Sequence, residues 1–271
     1  WVDLDYLFVA RAGRKAGIPV VTALDNRWTG RLLQQIKTVV GNCIVRRCFS
    51  HVQVAGQEQY QFARKLGFTP NRILKNLYSA DVGLFSEVFK GRAALGDSSF
   101  SRRLIYVGRL HPNKGLDILL EAWKISRVSN GHEWSLDIIG NGPMERSIKS
   151  DSGVELFGFM EPEEIVVHAR GGGVFVLPSR REPWGVVVHE FCAAGFPLIL
   201  SSNVGAASEF LIPGYNGYSF KSGSTESLSN CVQRMIKHSE KELLKMGQRS
   251  SELSRRITPS ISAGSLLQPL G

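Results

Sequence analysis

The apolar residues of this chain form short runs that alternate with segments of helical periodicity. Short apolar runs joined by helices are typical of parallel sheets that are covered on both faces. The pattern therefore predicts an α/β protein built from two Rossmann-like, doubly wound parallel sheets. In the first third we predict strands at 18–24, 51–55 and 73–77 and helices at 6–15, 31–47 and 58–65; beyond it we predict strands at 103–108, 135–139, 154–157, 174–178, 197–201 and 217–220.

Composition places a boundary between the two predicted sheets. Residues 90–103 are rich in glycine and serine, which favour a linker over a helix or a strand. We therefore predict a partial first lobe at residues 1–95, a Rossmann-like domain at 96–240, and a C-terminal helix with a loose, serine- and proline-rich tail at 241–271. The first lobe has few strands and the chain does not begin with methionine, so we expect a fragment of a longer protein.

One loop-to-helix stretch combines two carboxylates with a helix start. The apolar run at 174–178 is followed by a loop that contains Glu182, and a helical pattern opening at Gly185 contains Glu190. At 1.5 Å per helical residue the two carboxylates lie roughly 12 Å apart, too far to share a metal ion or a proton. They can accept hydroxyl hydrogen bonds from two ends of an elongated ligand, while the free N–H groups of the first helical turn suit an anion such as a diphosphate. The spacing alone is also typical of a plain helix with two solvated glutamates.

A second stretch supplies positive charge. An apolar run at 103–108 ends in a glycine turn, which is followed by Arg109 and by Lys114 at the start of an amphipathic helix. An arginine at the mouth of a strand and a lysine five residues later can converge on phosphate oxygens, the first as a planar fork and the second as a point charge. Such a pair can supply the charge that a magnesium ion would supply, so no metal site is expected.

Taken together, residues 102–238 resemble the C-terminal domain of glycosyltransferase family 4, a family of retaining enzymes with the GT-B fold. The family's G-R-x-x-x-x-K-G element matches Gly108 to Gly115, and its E-x7-E element matches Glu182 to Glu190. The resemblance implies a GT-B protein with two Rossmann-like lobes, of which the N-terminal one is incomplete. Further matches, in the family's order, are 139–143, 154–159 and 194–200, followed by Gly205 and Glu209.

The resemblance also implies roles for the matching residues. Arg109 and Lys114 hold the donor diphosphate and stabilise the charge that develops on the leaving group. Glu182 contacts the donor sugar, and Glu190 accepts hydrogen bonds from the ribose hydroxyls. Backbone N–H groups between the two glutamates touch the sugar or the β-phosphate, and a Phe-Gly loop lies beside the base. The substrate-binding residues implied besides these are Gly108, Phe157, Gly158, Trp184, Gly185, Val186 and Val187.

The chain departs from the family at two points. Pro183-Trp184 stands where Gly-Phe is more usual, and Phe191-Cys192 replaces the usual small or aliphatic pair after the second glutamate. We expect the indole of Trp184 to lie beside the donor sugar, which leaves the identity of that sugar open.

These motifs predict a retaining, metal-independent glycosyltransferase that needs no cofactor. It would move a sugar from a nucleotide-diphosphate donor to a glycan or lipid-linked acceptor, in the synthesis of a surface polysaccharide or a glycolipid. Two alternatives stay open. One is a nucleotide-sugar-binding module, or an inactive fragment without turnover, because the first lobe is short. The other is a GT-B epimerase or phosphorylase, although a phosphorylase would need a pyridoxal-binding lysine motif that the sequence lacks.

Positive charge is concentrated in the first third of the chain. Residues 1–95 hold 14 lysines and arginines against 6 acidic residues, so they carry +8 of the net charge of +9. Basic and apolar positions are interleaved between Arg27 and Arg47, which fits an amphipathic helix on anionic lipid or a buried helix with a solvated basic rim. Nucleic acid is not an expected partner, because the sequence contains no motif of a nucleic-acid reader.

Composition also bears on the compartment. The chain has no apolar run of about 18 residues, the length that a transmembrane helix needs, and no charged and apolar leader. Its four cysteines have neither zinc-site nor disulfide spacing. We therefore expect a cytoplasmic protein with peripheral contact at the inner face of the membrane.

Overall fold

The computed structural model describes residues 4–94, 100–130, 133–148 and 153–270. Every predicted strand is present, shortened at its ends by at most three residues. The strands are β1 (Val21–Leu24), β2 (His51–Val54), β3 (Ile73–Leu74), β4 (Arg103–Val107), β5 (Ser135–Ile139), β6 (Val154–Leu156), β7 (Val174–Leu177), β8 (Leu198–Ser201) and β9 (Gly217–Phe220). The helices are α1 (Leu4–Lys15), α2 (Leu32–Cys48), α3 (Gln57–Lys65), α4 (Val82–Ala94), α5 (Leu116–Asn130), α6 (Pro162–Ala169), α7 (Val186–Ala193), α8 (Ala207–Phe210), α9 (Thr225–Ile236), α10 (Glu240–Ser254) and α11 (Pro259–Leu267).

The described residues separate into two compact units. Those up to Ser79 and from Ile257 onward form the first unit, and Ala80–Arg256 form the second. This division differs from the predicted boundary at 95/96, because α4 packs on α6 and α7 and so belongs to the second unit. The predicted boundary itself lies outside the described residues.

Two segments that we predicted to be irregular are helical. The predicted linker begins at residue 90, yet α4 continues past it on an apolar face that buries Phe85. The predicted loose tail contains α11, whose first turn is capped by the Thr258 hydroxyl, which accepts from the Ile261 N–H at 3.2 Å. Threonine at the N-cap and proline at the first helical position are helix-start signals. The prediction from composition was wrong because it counted these residues as marks of disorder.

In the first unit, β1, β2 and β3 form a parallel sheet in that order. Its core combines buried residues of the strands and of the helices, among them Val45, Val54, Phe62 and Leu66. The buried side chain of Gln53 on β2 donates to the Ser262 carbonyl oxygen of α11 at 3.3 Å. The C-terminal helix is thereby attached to the sheet of the first unit.

Helix α2 of the first unit has two contrasting faces. One face buries Thr38, Val45 and Cys48 in the core, whereas the opposite face leaves apolar side chains exposed. The exposed apolar residues are Leu32, Leu33, Ile36, Val39 and Ile44, and the exposed basic residues beside them are Lys37, Arg46 and Arg47. The interpretation as a buried helix with a basic rim is therefore incomplete, because the exposed face is apolar as well as basic.

In the second unit, six parallel strands lie in the order β6-β5-β4-β7-β8-β9. The strand order reverses between the two central strands, β4 and β7. All four residues of β7 are buried, which explains why this strand is a continuous apolar run in the sequence. In open parallel sheets, ligands bind beyond the carboxyl ends of the strands at such a reversal. The loops that follow β4 and β7 therefore frame the candidate site.

Candidate active site

Hydrogen bonds fasten the loop after β4 to the loop after β7. The N–H of Arg180 donates to the Asn113 carbonyl oxygen at 2.8 Å. The Arg180 guanidinium donates to both carboxylate oxygens of Asp117, each at 2.6 Å. Gly115, with a φ of 70°, permits this approach, because a Cβ there would lie 2.2 Å from the Pro178 carbonyl oxygen. The two sequence motifs that we predicted to act together are thus adjacent in space.

The backbone of Glu182 is held from the side of β8. Its N–H donates to the Asn203 carbonyl oxygen at 3.2 Å, and its own carbonyl oxygen accepts from the Gly205 N–H at 3.0 Å. There is no room for a side chain at Gly205, since a Cβ would lie 2.0 Å from the Pro183 carbonyl oxygen. The neighbouring loop therefore sets the position from which the Glu182 carboxylate extends.

Glycine-containing loops line the same sheet edge on the other side of β4. The N–H of Gly108 donates to the Ile139 carbonyl oxygen at 3.0 Å, and the N–H of Gly140 donates to the Gly158 carbonyl oxygen at 2.6 Å. Gly108 and Gly158, both predicted to contact substrate, therefore lie on either side of the C-terminal end of β5, and each is hydrogen-bonded there.

A buried charged network supports the ring of Phe157. This ring packs edge-on against His168 of α6, with centroids 4.5 Å apart. His168 Nε2 and the Arg103 guanidinium each contact Asp137 Oδ2 at 2.9 Å, and Asp137 is buried. No motif in the sequence points to these three residues, because they come from three separate elements. The one available signal was an aspartate inside the apolar strand β5.

Lys114 and Glu182, both predicted to be catalytic, form an ion pair. Lys114 Nζ contacts Glu182 Oε2, and the Ser179 hydroxyl donates to the same oxygen at 3.3 Å. The two side chains are 19% and 13% exposed, so the pair is mostly shielded from water. The buried Tyr106 hydroxyl feels the same carboxylate: burial first, and the charge of Glu182 second, raise the Tyr106 pKa. The charge of Lys114 is therefore already neutralised by a neighbour.

Arg109, the other predicted cation, is in a different state. Its side chain is exposed and makes no hydrogen bond or ion pair within the part of the chain that the structure describes. Its backbone is nevertheless fixed, because the carbonyl oxygen accepts from the Tyr106 hydroxyl at 2.9 Å. The rigid loop thus presents one cation that is free to meet an anion from solution, beside one that is paired.

The N-terminus of α7 lies at this edge, and its N-cap, Gly185, follows Glu182 by three residues in the chain. Gly185 is the N-cap, with φ 98° and ψ 73°, a conformation that favours glycine. The helix has no side-chain cap. Val186 and Val187 are partly exposed, and their N–H groups belong to the first turn, which has no acceptor within the helix. These N–H groups and the helix dipole can stabilise an anion.

Glu190 lies in the second turn of α7, because the helix begins at Val186. The Glu190 carboxylate is partly exposed and makes no hydrogen bond or ion pair with the residues that the structure describes. Burial raises the pKa of Glu190 to about 7. A shielded acceptor without a partner gains most from a hydroxyl donor that a ligand brings.

Trp184 does not present its indole to the site as we predicted. The side chain is 3% exposed and packs edge-on against Phe210 of α8, with ring centroids 6.3 Å apart. Its Nε1 is buried and has no hydrogen-bond partner among the described residues. The prediction was wrong because a loop residue next to a predicted ligand contact was assumed to point the same way. Only the backbone of Trp184 remains a candidate for contact with a ligand.

His189, which precedes Glu190 in the chain, is buried, and both nitrogens of its ring form hydrogen bonds with backbone groups. The N–H of Ala80 donates to its Nδ1 at 3.1 Å, and its Nε2 donates to the Ser254 carbonyl oxygen at 2.8 Å. The ring is stacked on Phe210, with centroids 4.3 Å apart. Both ring nitrogens are thus occupied, which makes His189 a structural residue rather than a proton carrier. Its partners lie far away in sequence, so no sequence signal could have found them.

The ranges that the structure describes contain neither a metal site nor a membrane-spanning helix. In them, no three His, Cys, Asp or Glu side chains are grouped as a metal site requires. None of the helices in those ranges combines the length and the apolar character that crossing a membrane demands. All four cysteines are free, and three of them are buried.

Comparison with known proteins relates the second unit to a large enzyme family. The sequence model of the family described as "Glycosyl transferases group 1" matches residues 92–252. An uncharacterized glycosyltransferase of Methanocaldococcus jannaschii is 28% identical over 169 residues, which are 60% of this chain and 45% of that protein. The capsular polysaccharide biosynthesis glycosyltransferase CapM of Staphylococcus aureus is 30% identical over 139 residues, which are 48% of this chain and 36% of that protein. The chain spans less than half the length of these curated relatives.

Solved structures extend the similarity to both units. The crystal structure of HepE from Anabaena in complex with UDP matches with a TM-score of 0.76. The match covers 98% of this chain and 75% of that chain at 19% sequence identity. At this identity the likeness concerns the fold, which is the GT-B fold expected from the sequence motifs.

Proposed function

This chain belongs to the group 1 glycosyl transferases, and on that premise we propose that it transfers a sugar from a nucleotide-diphosphate donor to a glycan or lipid-linked acceptor. The observation that carries the proposal lies at the carboxyl edge between β4 and β7. There an exposed, unpaired arginine, a lysine and an uncapped helix N-terminus accompany two carboxylates of contrasting state. This set of groups fits a ligand with a negative centre and hydroxyl groups on either side of it.

The proposed division of labour follows the charges. Arg109, Lys114 and the N–H groups of Val186 and Val187 hold the diphosphate, which becomes more negative as the bond to the sugar breaks. Glu190 accepts hydroxyl hydrogen bonds from the ribose, and Glu182 accepts from the donor sugar. Positive charge from the protein itself supports a reaction that proceeds without a metal ion. Retention of configuration is inferred from the resemblance of the two motifs to family 4.

The relatives support the choice of product class. One of them is named for capsular polysaccharide biosynthesis, and another for amylovoran biosynthesis. We extend this class to the present chain and propose surface polysaccharide or glycolipid synthesis as its setting. UDP is the first nucleotide to test, because a structural neighbour binds it.

A thermal-shift panel tests the proposal at the level of binding. UDP, GDP, ADP and their glucose conjugates are each added to the 271-residue chain. A ligand that binds only the folded state raises the unfolding temperature. We therefore expect the nucleotides of one base to stabilise the protein, both as the free diphosphate and as its glucose conjugate. No stabilisation by any of the six ligands would contradict the proposal.

Turnover separates the leading proposal from its alternative. A donor-binding module without turnover is the second candidate, because the groups proposed to bind the donor all belong to the second unit. An enzyme hydrolyses or transfers the sugar of the bound donor and continues to do so in excess chelator, whereas a module binds the donor and leaves it intact. Activity that chelator abolishes and magnesium restores would exclude the metal-independent mechanism.

We also propose that the first unit contacts an anionic membrane through the exposed face of α2. Leu32, Ile36 and Val39 form one stripe at helical spacing and are 73%, 53% and 75% exposed. Lys37 and Arg47 are exposed on the same helix. Apolar insertion flanked by basic side chains is how amphipathic helices bind the anionic cytoplasmic leaflet.

Cosedimentation with vesicles tests the membrane contact. We expect binding to vesicles that contain phosphatidylserine at low ionic strength and weaker binding as salt screens the charges. Ile36→Asp should abolish binding, whereas Ile125→Asp, on the exposed face of α5 in the second unit, serves as the matched control. Equal binding to neutral and acidic vesicles, or equal loss in both variants, would contradict the proposal.

A further inference from the structure

The ion pair between Glu182 and Lys114 occupies the place where the proposed function puts the donor diphosphate. Glu182 Oε2 contacts Lys114 Nζ and accepts from the Ser179 hydroxyl at 3.3 Å. Because backbone bonds to the loop after β8 hold Glu182, this carboxylate stays beside Lys114. A phosphate that reaches Lys114 must therefore share it with Glu182 or displace Glu182 from it. This competition for Lys114 rests on the proposed function, in which the site binds a nucleotide-diphosphate donor.

The product of the transfer is more negative at this point than the donor. A free nucleoside diphosphate ends in a phosphate monoester, which carries about −1.5 to −2 at neutral pH. In the sugar-bearing donor the same phosphate is a diester and carries a single negative charge. Like charges repel more strongly in the shielded surroundings of a site than in water. The Glu182 carboxylate therefore opposes the product more than it opposes the donor.

The donor also brings a group that the product lacks. Once phosphate takes over Lys114, the oxygen of Glu182 that held the lysine can accept a hydroxyl of the donor sugar. A free diphosphate has no hydroxyl to offer there, so the carboxylate would be left shielded beside a negative phosphate without a new partner.

We infer that Glu182 sets the preference of the site for the sugar-bearing donor over the product diphosphate, by competing with the diphosphate for Lys114. In this role Glu182 is a specificity-determining residue that also promotes release of the product. Arg109 has no such competitor among the described residues, so it is open to the phosphates of both ligands.

In the opposite role, the Glu182 carboxylate would only orient Lys114 for the phosphate. The two roles predict opposite signs when the charge of Glu182 is removed. Loss of a competitor strengthens binding of the free diphosphate, whereas loss of an orienting partner weakens it. A neutral variant at this position therefore decides between them.

The experiment is a calorimetric titration of the wild-type chain and Glu182→Gln with UDP, GDP, ADP and their glucose conjugates. Glu121→Gln is the matched control, since Glu121 is exposed on α5 and the substitution makes the same change in net charge. For the base that binds, we expect Glu182→Gln to bind the free diphosphate about 5–10-fold more tightly, a gain of about 1–1.4 kcal/mol. We expect it to bind the glucose conjugate less tightly, and we expect the control to match the wild type.

The outcomes separate this inference from the proposed function. Unchanged or weaker diphosphate binding by Glu182→Gln, with the wild type binding normally, would overturn the inference and leave the proposed function standing. A wild type that binds none of the six ligands would overturn both. Glu182→Ser provides a second neutral variant that is titrated in the same way if Glu182→Gln does not fold.

Discussion

The two glutamates of the site occupy contrasting regions of the second unit. Glu182 extends from a loop where a lysine and a serine hydroxyl contact its carboxylate. Glu190 lies on α7, where burial raises its pKa to about 7 and where the described residues offer its carboxylate no partner. The carboxylate in the loop therefore has protein partners before any ligand binds, whereas the carboxylate on the helix has none among the described residues.

Under the proposed function, this difference would let one motif perform two tasks. A carboxylate that already has a cation and a hydrogen-bond donor beside it can exchange these partners for groups of a ligand. A carboxylate without a partner is held in a less favourable state, and the ligand relieves it. The two cations repeat the contrast, since Lys114 is paired and Arg109 is exposed.

The largest expected effect concerns the paired cation. Lys114→Ala leaves the shielded Glu182 carboxylate without its counter-charge, so we expect the free energy of unfolding to fall by about 2–3 kcal/mol. Arg109→Ala removes an exposed side chain and should change it by less than about 0.5 kcal/mol. Urea unfolding measures both. Equal losses in the two variants would remove the contrast between a paired and a free cation.

The next effect concerns the pH dependence of the unpartnered carboxylate. Burial raises the Glu190 pKa from its ordinary value of 4.5 to about 7 in the folded chain, so the folded state binds more protons between these two values. The free energy of unfolding should therefore fall as pH rises through this window. At pH 8 the free energy of unfolding of Glu190→Gln should exceed that of the wild type by about 1–3 kcal/mol. At pH 4 the two free energies should be equal. A gain that is the same at both pH values would show that burial does not shift this carboxyl.

Ligand binding gives a smaller effect at the same residue. Glu190→Gln keeps an acceptor but loses its charge, so affinity for the free diphosphate and for its sugar conjugate should both fall by about 1 kcal/mol. The similar size of the two losses is the diagnostic result, because the ribose is common to both ligands. A loss confined to the sugar conjugate in calorimetric titration would place Glu190 at the sugar instead.

The smallest effect concerns the buried indole. Trp184→Phe keeps the apolar contact with Phe210 and removes an N–H that lacks a partner among the described residues. The free energy of unfolding should therefore change by less than about 1 kcal/mol, and the preference among sugar conjugates should not change. An altered sugar preference in a panel of UDP-sugars would indicate that the Trp184 indole does contact the donor sugar.

The sequence predicted the strands well because each buried strand is an apolar run that needs no knowledge of its neighbours. Gly108, Arg109, Lys114, Glu182 and Glu190 were selected from their order in two motifs, and the structure brings these two motifs together at one edge of the sheet. The ion pair between Lys114 and Glu182 could not be found, since it depends on β4 and β7 being adjacent although 68 positions separate the two residues.

Side-chain direction was the other feature beyond the reach of the sequence. Trp184 and His189 each lie beside a glutamate of the motif, yet both side chains turn into the core and contact Phe210. The direction of a side chain in a loop or at a helix start is set by packing against distant residues. The Asp137 and His168 network is hidden for the same reason.

The most direct test of the central claim is diphosphate binding by Arg109→Ala, because this side chain is exposed and its removal should leave the fold intact. Calorimetric titration with the nucleoside diphosphate that stabilises the wild type should show affinity lower by about 1.5–3 kcal/mol, the contribution of a charge-assisted hydrogen bond. Lys114→Ala, compared at a temperature where it is folded, should lose a similar amount. Unchanged diphosphate affinity in both folded variants would contradict the claim that the edge between β4 and β7 holds the donor.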